Sequence, residues 1–265
     1  MLTRLMKYDL KKMLKFLCVF FILALFFGLL TRFFGQMKKS LAVEIIKGIC
    51  NGTAISMMCS LLINCLMRSW VLFRSNLFGD ESYLTHTLPV KKETHYANKA
   101  FTSAISLFCC MAGIVLVLFF TYWTQDLWNL IKVPLEAFST YLGVPVWGMF
   151  VFLFVTLFIE FYNGIQVGFA GILLGHRLQQ GKILFSVIFG FVGYMACQMA
   201  TLLGMLVIAL FDSEFFKLFS TNDLMAFKPS TIISASVIGC AFYALISVIL
   251  FFFNTNLLKK GVNVD

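Results

Sequence analysis

Three polar side chains lie deep inside stretches of sequence that are otherwise apolar. Glu160 is the only acid in the middle of such a stretch, Gln198 lies at nearly the same depth in the next one, and Asn64 lies somewhat nearer the end of an earlier one. A carboxyl group in lipid is costly, and is therefore usually protonated, paired or functional. Two interpretations stay open: a neutral Glu160 that is hydrogen-bonded to such a neighbour, or a group that contacts a transported substrate or gates its path.

Residue patterns typical of enzymes are missing from the rest of the chain. The histidines, His86, His95 and His176, lie outside the apolar stretches, and neither HExxH nor GxSxG occurs. The segment GHRLQQGK at residues 175–182 has one residue too many between its glycines for a phosphate-binding P-loop, and Ile183 follows its lysine. None of the cysteines forms a CxxC pair, so we expect no disulfide and no metal site. We therefore expect no catalytic activity and no cofactor bound by this chain.

Six long apolar stretches must position these groups: residues 16–34, 50–73, 101–123, 146–174, 183–211 and 231–253. Each has about the 20 residues that a helix needs to cross a bilayer core, where the backbone must satisfy its own hydrogen bonds. Hydrophobic residues make up 60% of the 265 residues, well above the share in a soluble domain. The sequence predicts an all-α integral membrane protein, with residues 1–265 forming a single domain of six transmembrane helices.

The distribution of basic residues predicts the orientation of these helices. With the N-terminus in the cytosol, only seven of the 21 lysines and arginines lie outside: Arg32, Lys38, Lys39, Lys47, Lys132, Lys217 and Lys228. Cytosolic loops of membrane proteins carry the excess of basic residues, so both termini are expected in the cytosol. The net charge of +9 then reflects membrane topology, and no nucleic-acid partner is expected.

Residues 1–15 have the pattern of an amphipathic helix. Apolar residues fall at helical spacing and basic residues take most of the other face: Leu2, Leu5, Met6, Leu10, Met13 and Leu14 against Arg4, Lys7, Lys11, Lys12 and Lys15. Such a helix suits the inner headgroup layer, with its apolar side towards the lipid tails. The alternative is a topology signal without fixed structure.

The longest cytosolic segment, residues 74–99, mixes apolar residues with acids, bases and hydroxyls. Asp80 or Ser82 can cap a short helix, and Pro89 then breaks the chain and can start the next helix. Exposed apolar residues on such a short helix suit docking onto another protein. The alternative is a solvated connector.

The fourth and fifth apolar stretches carry small residues at helical spacing. The fourth has Gly164, Gly168, Gly171 and Gly175, and the fifth has Gly190, Gly193, Cys197, Ala200 and Gly204. Small faces allow membrane helices to approach closely. They predict close packing or a face that slides during a transport cycle.

The most specific text in the chain is NLFGDESYLTHTLPV at residues 76–90. It resembles the run DEGYLT-x-TLPV of many permease subunits of type-two ABC exporters from Gram-positive bacteria, with Ser82 in place of the glycine. The matching residues are Asp80, Glu81, Tyr83, Leu84, Thr85, Thr87, Leu88, Pro89 and Val90. The basic N-terminal helix, the six spans with both ends inside, and the apolar outer segment at 212–230 are similar as well.

The resemblance implies a function and partners. The loop after the second span would supply a coupling helix that docks on a separate ABC ATPase subunit, which binds ATP and Mg. Asp80, Glu81, Tyr83, Leu84, Thr87, Leu88 and Pro89 would form this coupling loop. The permease would work with a second copy of itself or a sister permease in the lipid of the bacterial cytoplasmic membrane. The cargo would be an amphipathic peptide, a lipid or a hydrophobic drug, on a path between the two permeases.

Two other classes of membrane protein remain as alternatives. One is a channel or secondary transporter that needs no ATPase, which should show several charges in the spans or broken helices in two similar halves. The other is a non-transporting protein of peptide immunity or sensing. Co-purification of an ATPase subunit separates the exporter from both.

Overall fold

The computed structural model describes residues 2–37, 40–79, 91–123, 125–178, 180–211, 214–216 and 228–260, with side chains left undescribed at 2 and 125–131. These residues are almost entirely helical, and they include no β-strand. The long helices are α1 Leu2–Gly35, α2 Leu41–Phe78, α3 Lys92–Tyr122, α4 Gln125–Leu142, α5 Val146–Gly175, α6 Lys182–Phe211 and α7 Pro229–Lys259.

Six of these helices are long and apolar enough to cross a membrane: α1, α2, α3, α5, α6 and α7. This confirms the prediction of six apolar spans in an all-helical, multi-pass membrane protein. The helices run past the predicted spans because the flanking polar residues contain no helix breaker at those points. With 38 residues, α2 is about 57 Å long at 1.5 Å per residue, well beyond the thickness of a bilayer core.

The N-terminal segment and the first span form one helix, α1, without a break. The non-basic face of the segment is partly covered by protein, since Met13 is fully buried and the Ser106 hydroxyl of α3 contacts its sulfur. An orientation of this segment in the headgroup layer stays a prediction.

The segment between the third and fourth spans, which the sequence predicts to lie outside, contains a helix that was not predicted, α4. Pro134 lies inside it, where proline cannot donate a backbone hydrogen bond. In the apolar segment at 212–230, residues 214–216 are helical and Phe215 is buried. Residues 212, 213 and 217–227 lie outside the described residues.

The chain divides into two compact units, Met1–Lys132 and Val133–Asp265, hereafter unit 1 and unit 2. In unit 1, α1 packs on α2 and α3. α3 runs parallel to α1, since contacts join Asp9 to Lys99 near their N-termini and Arg32 to the Phe120 carbonyl near their C-termini. α2 is antiparallel to α3, and the Tyr122 hydroxyl bonds Asn51 between them.

Unit 2 repeats this order of packing with the next three spans. α5 packs on both α6 and α7, while α6 and α7 touch less. α7 runs parallel to α5, because the amide of Asn254 donates to the Gln166 carbonyl at 2.9 Å and Arg177 donates to the Leu257 carbonyl at 2.9 Å. α6 is antiparallel to α5. Whether the two units form the single domain predicted from the sequence stays open.

Candidate functional site

The predicted coupling loop lies between α2 and α3. All seven of its predicted residues, Asp80, Glu81, Tyr83, Leu84, Thr87, Leu88 and Pro89, lie outside the described residues. Both helices that flank the loop are described, α2 up to Phe78 and α3 from Lys92. Much of the segment predicted as a loop at 74–99 is therefore helical. We call residues 79–91, which join the two helices, the connecting loop; residues 80–90 lie outside the described residues.

A buried polar cluster joins the two ends of the connecting loop to the N-terminal segment. The Lys99 ammonium lies 2.5 Å from the Asp9 carboxylate, and the two side chains are only 5% and 13% exposed. The Asn98 amide donates to the same carboxylate oxygen at 2.6 Å. The Asn76 amide reaches the other oxygen at 3.5 Å, a longer contact. We call Asp9, Asn76, Asn98 and Lys99 the polar tie.

Buried apolar side chains lie on α2 and α3 within one turn of the polar tie's residues. Phe73 and Tyr96 are fully buried, and their rings meet edge to face with centroids 6.2 Å apart. Leu77 is buried one turn beyond Phe73. Edge-to-face aromatic pairs contribute beyond the area that they bury, so α2 and α3 are held firmly where they enter the connecting loop.

In unit 2, Glu160 lies in the middle of α5 and is half-buried. Its carboxyl group interacts electrostatically with the hydroxyl of Tyr243 on α7. Within the described part of the chain it has no ion-pair or hydrogen-bond partner. A carboxyl group without a partner is costly inside a span, so both interpretations drawn from the sequence stay open.

Gln198 lies close to the same tyrosine. The Tyr243 hydroxyl donates to the Gln198 side-chain carbonyl, so Tyr243 joins two of the residues singled out in the sequence. Asn64 belongs to unit 1, where its amide donates at 2.8 Å to the Ser60 carbonyl of its own helix. It therefore satisfies a local backbone group, and its predicted place on a substrate path stays a prediction.

A second set of buried amides lies nearer the C-terminal ends of α5 and α7. Gln166 and Asn254 are fully buried, and the Asn254 amide donates to the backbone carbonyl of Gln166. The Gln166 amide in turn donates to the Tyr162 hydroxyl at 2.7 Å. In the stretch between these contacts and Glu160, the buried Asn163 Oδ1 and Ser247 Oγ have no hydrogen-bond partner among the described residues. The α5–α7 interface therefore carries polar groups along much of its length.

The small residues of α5 are explained by packing against α6. A Cβ atom at Gly171 would lie 2.6 Å from the Gly190 backbone nitrogen, and one at Gly175 would collide with Ser186. A Cβ at Gly164 would meet nothing within 4 Å. Gly171 and Gly175 thus allow backbone contact between α5 and α6, which supports the packing interpretation of this face. The sliding interpretation stays a prediction.

The residues of the polar tie and Tyr243 were not singled out as site residues in the sequence. Asp9 is the only acid among the first 43 residues, and it lies four residues before Met13, on the non-basic face of the segment. Its position among apolar residues at helical spacing was the available signal. Tyr243 gave no comparable signal, because a tyrosine within an apolar span is common.

Comparison of the chain with protein-family models, with curated proteins and with solved structures finds no match.

Proposed function

We propose that this chain is the membrane-spanning permease subunit of an ATP-driven exporter in the bacterial cytoplasmic membrane, with both termini in the cytosol. ATP and Mg are bound by a separate ABC ATPase subunit, and this chain itself is not an enzyme. The observation that carries the proposal is the run from Asp80 to Val90, which stands between two membrane-length helices and resembles the coupling segment of type-two permeases.

The position of the N-terminal segment supports the proposed topology. Asp9 contacts Asn76 at the end of α2 and Lys99 near the start of α3. The basic segment and both ends of the connecting loop therefore belong to one side of unit 1. The positive-inside rule places this side in the cytosol, where an ATPase would be found.

The proposed cargo is an amphipathic peptide, a lipid or a hydrophobic drug, which moves by alternating access at a permease dimer interface. Glu160, Gln198 and Tyr243 are the proposed contacts or gate on this path, since they gather polar groups at the depth of a bilayer centre. The second permease, an identical copy or a sister chain, would cover part of the apolar surface that α6 and α7 leave exposed.

A secondary transporter is the second candidate, because each unit comprises three spans that pack in the same order. Transporters built from two related halves bind their substrate near the bilayer midplane, where Glu160 is expected. Such transporters also use discontinuous helices, whereas the six spans are unbroken throughout the residues that the structure describes. Cargo movement that is driven by an ion gradient and needs no ATPase would favour this candidate.

The exporter proposal is tested at the connecting loop. Replacing both Tyr83 and Leu84 by Ala should weaken binding of the ATPase subunit by about 2 kcal/mol or more, because buried aromatic and aliphatic anchors dominate such docking surfaces. Cargo-stimulated ATP hydrolysis should fall with it. The matched control is Tyr141→Ala with Leu142→Ala, the same dipeptide in α4, which should leave binding unchanged. Unchanged binding and stimulation in the loop variant would remove the loop as the coupling element.

A further inference from the structure

We propose that the polar tie makes the N-terminal segment and both ends of the connecting loop move as one body, with Asp9 and Lys99 as the positioning residues. The tie itself is a property of unit 1, while its role in coupling rests on the proposed function. In that role, force applied to the loop by an ATPase reaches α1, α2 and α3 together.

The geometry of the tie carries this inference. Three donors converge on one carboxylate, and they come from the two helices that flank the connecting loop. Asn76 lies two residues before the end of α2, while Asn98 and Lys99 lie in the second turn of α3. Asp9, from a third helix, is thus linked to the chain on both sides of the loop.

Burial gives the tie its stiffness. Exposed ion pairs contribute little and exchange readily with water. The Asp9–Lys99 pair is nearly excluded from solvent, so separating the two groups would leave two charges in a medium that solvates them poorly. A displacement of either end of the loop is therefore transmitted to α1 more easily than it is absorbed by opening the tie.

The tie also explains why an acid lies on the non-basic face of this otherwise basic segment. Five basic residues lie within residues 4–15, and Asp9 is the one acid among them. A segment that only marked topology would need no buried carboxylate. A segment that must follow the connecting loop needs a fixed attachment to it, and Lys99 and Asn98 supply that attachment.

Hydrogen–deuterium exchange of the purified full chain tests the tie without any partner. Asp9→Asn and Lys99→Met should each accelerate amide exchange by roughly tenfold or more in all three segments at once: residues 2–12, 72–79 and 91–99, because each leaves one buried group uncompensated. The exchanged pair, Asp9→Lys with Lys99→Asp, should restore slow exchange. Lys11→Met, which removes an exposed charge on the same helix, is the control and should change nothing.

Asn98→Leu is the milder variant, in case the charge variants do not fold. It keeps the ion pair and removes one donor, and it should accelerate exchange in residues 2–12 and 91–99 by a smaller factor. Acceleration confined to the mutated helix in every folded variant would overturn the inference, because the three segments would then open independently.

The coupling role is tested with the ATPase subunit that co-purifies with the chain. Asp9→Asn should leave binding of this subunit within about threefold of the wild type, since the loop itself is unchanged, while stimulated ATP hydrolysis falls about tenfold; the exchanged pair should restore it. Equal losses of binding and stimulation would mean a merely structural role. If no ATPase binds to the wild type, the exporter proposal and the coupling role both fail, but the exchange experiment still decides whether the tie exists.

Discussion

Unit 1 and unit 2 differ in the partners that they provide to a carboxyl group that is buried or half-buried. In unit 1, Asp9 receives an ammonium group and two amides. In unit 2, Glu160 has the Tyr243 hydroxyl near it and no ion-pair partner in the described part of the chain. The spans also differ in burial. In the apolar part of each span, 22–39% is buried inside the protein in unit 1, and 6–11% in unit 2.

This difference separates a unit that is closed on itself from one that leaves its surface to other molecules. Unit 1 uses a charged cluster and aromatic packing, which are strong and resist opening. Unit 2 uses backbone contact at glycines and single hydrogen bonds between helices, each worth about 0.6 kcal/mol on average in membrane proteins. In the proposed exporter, unit 1 would carry force from the connecting loop and unit 2 would offer surface to lipid, to a second permease or to cargo.

The largest effect is expected at the polar tie. Lys99→Met should destabilise the protein by about 3–5 kcal/mol, because it leaves the buried Asp9 carboxylate without its counter-charge. The measurement is the unfolding midpoint of the purified protein in detergent.

The double variant Asp9→Leu with Lys99→Met is the control for this prediction. It removes both charges, so most of the stability should return. A single variant as stable as the wild type would show that unit 1 does not depend on this pair, and it would weaken the contrast with unit 2.

The next effect is expected where α5 crosses α6. Gly171→Ala should cost about 1–3 kcal/mol, since its Cβ would lie 2.6 Å from backbone atoms that cannot move aside cheaply. Gly164→Ala, on the same helix but facing open space, should cost nothing. Thermal unfolding of both variants in one detergent gives the comparison. Equal effects at the two positions would argue that α5 and α6 do not approach as closely as described.

A smaller effect is expected at the hydrogen bond between Tyr243 and Gln198. A double-mutant cycle with Tyr243→Phe and Gln198→Leu should give a coupling energy of about 0.6 kcal/mol, the average for such bonds between membrane helices. Unfolding of the four proteins provides the measurement. A coupling energy above about 2 kcal/mol would show that the helices of unit 2 are held together as tightly as those of unit 1.

The smallest effect on stability is expected for Glu160→Gln. Because the Glu160 side chain makes no ion pair or hydrogen bond in the described part of the chain and the amide has nearly the same shape, the change should stay below about 0.5 kcal/mol. Assembly and transport should both persist. Transport that falls while assembly persists would identify Glu160 as an anion that gates the path or binds cargo.

The six spans were predictable because lipid leaves a long apolar stretch no alternative to a helix. The full lengths of the helices were not, since α2 and α3 continue through polar residues that hydropathy assigns to a loop. The polar tie was hidden for a different reason. Asp9 and Lys99 are 90 residues apart, and charged residues of these types usually lie on the protein surface. Only the parallel packing of α1 and α3 brings the two side chains together.

The mid-span site stays a prediction. Glu160 and Gln198 stood out because polar residues are rare at this depth, and Tyr243 links them. Asn64 stood out for the same reason, yet its amide bonds its own helix. Depth along a span can be counted from the sequence, whereas the direction of a side chain depends on which helices pack together.

Purification of the chain from its native membrane tests the central claim, that it is a permease driven by a separate ATPase. A tag placed after Asp265 should be accessible from the cytosol, and the tagged chain should bring an ABC ATPase subunit with it in stoichiometric amount. The Tyr83→Ala, Leu84→Ala variant should lose this subunit while the Tyr141→Ala, Leu142→Ala variant keeps it. A chain that is folded and active in transport but retains no ATPase subunit would contradict the account.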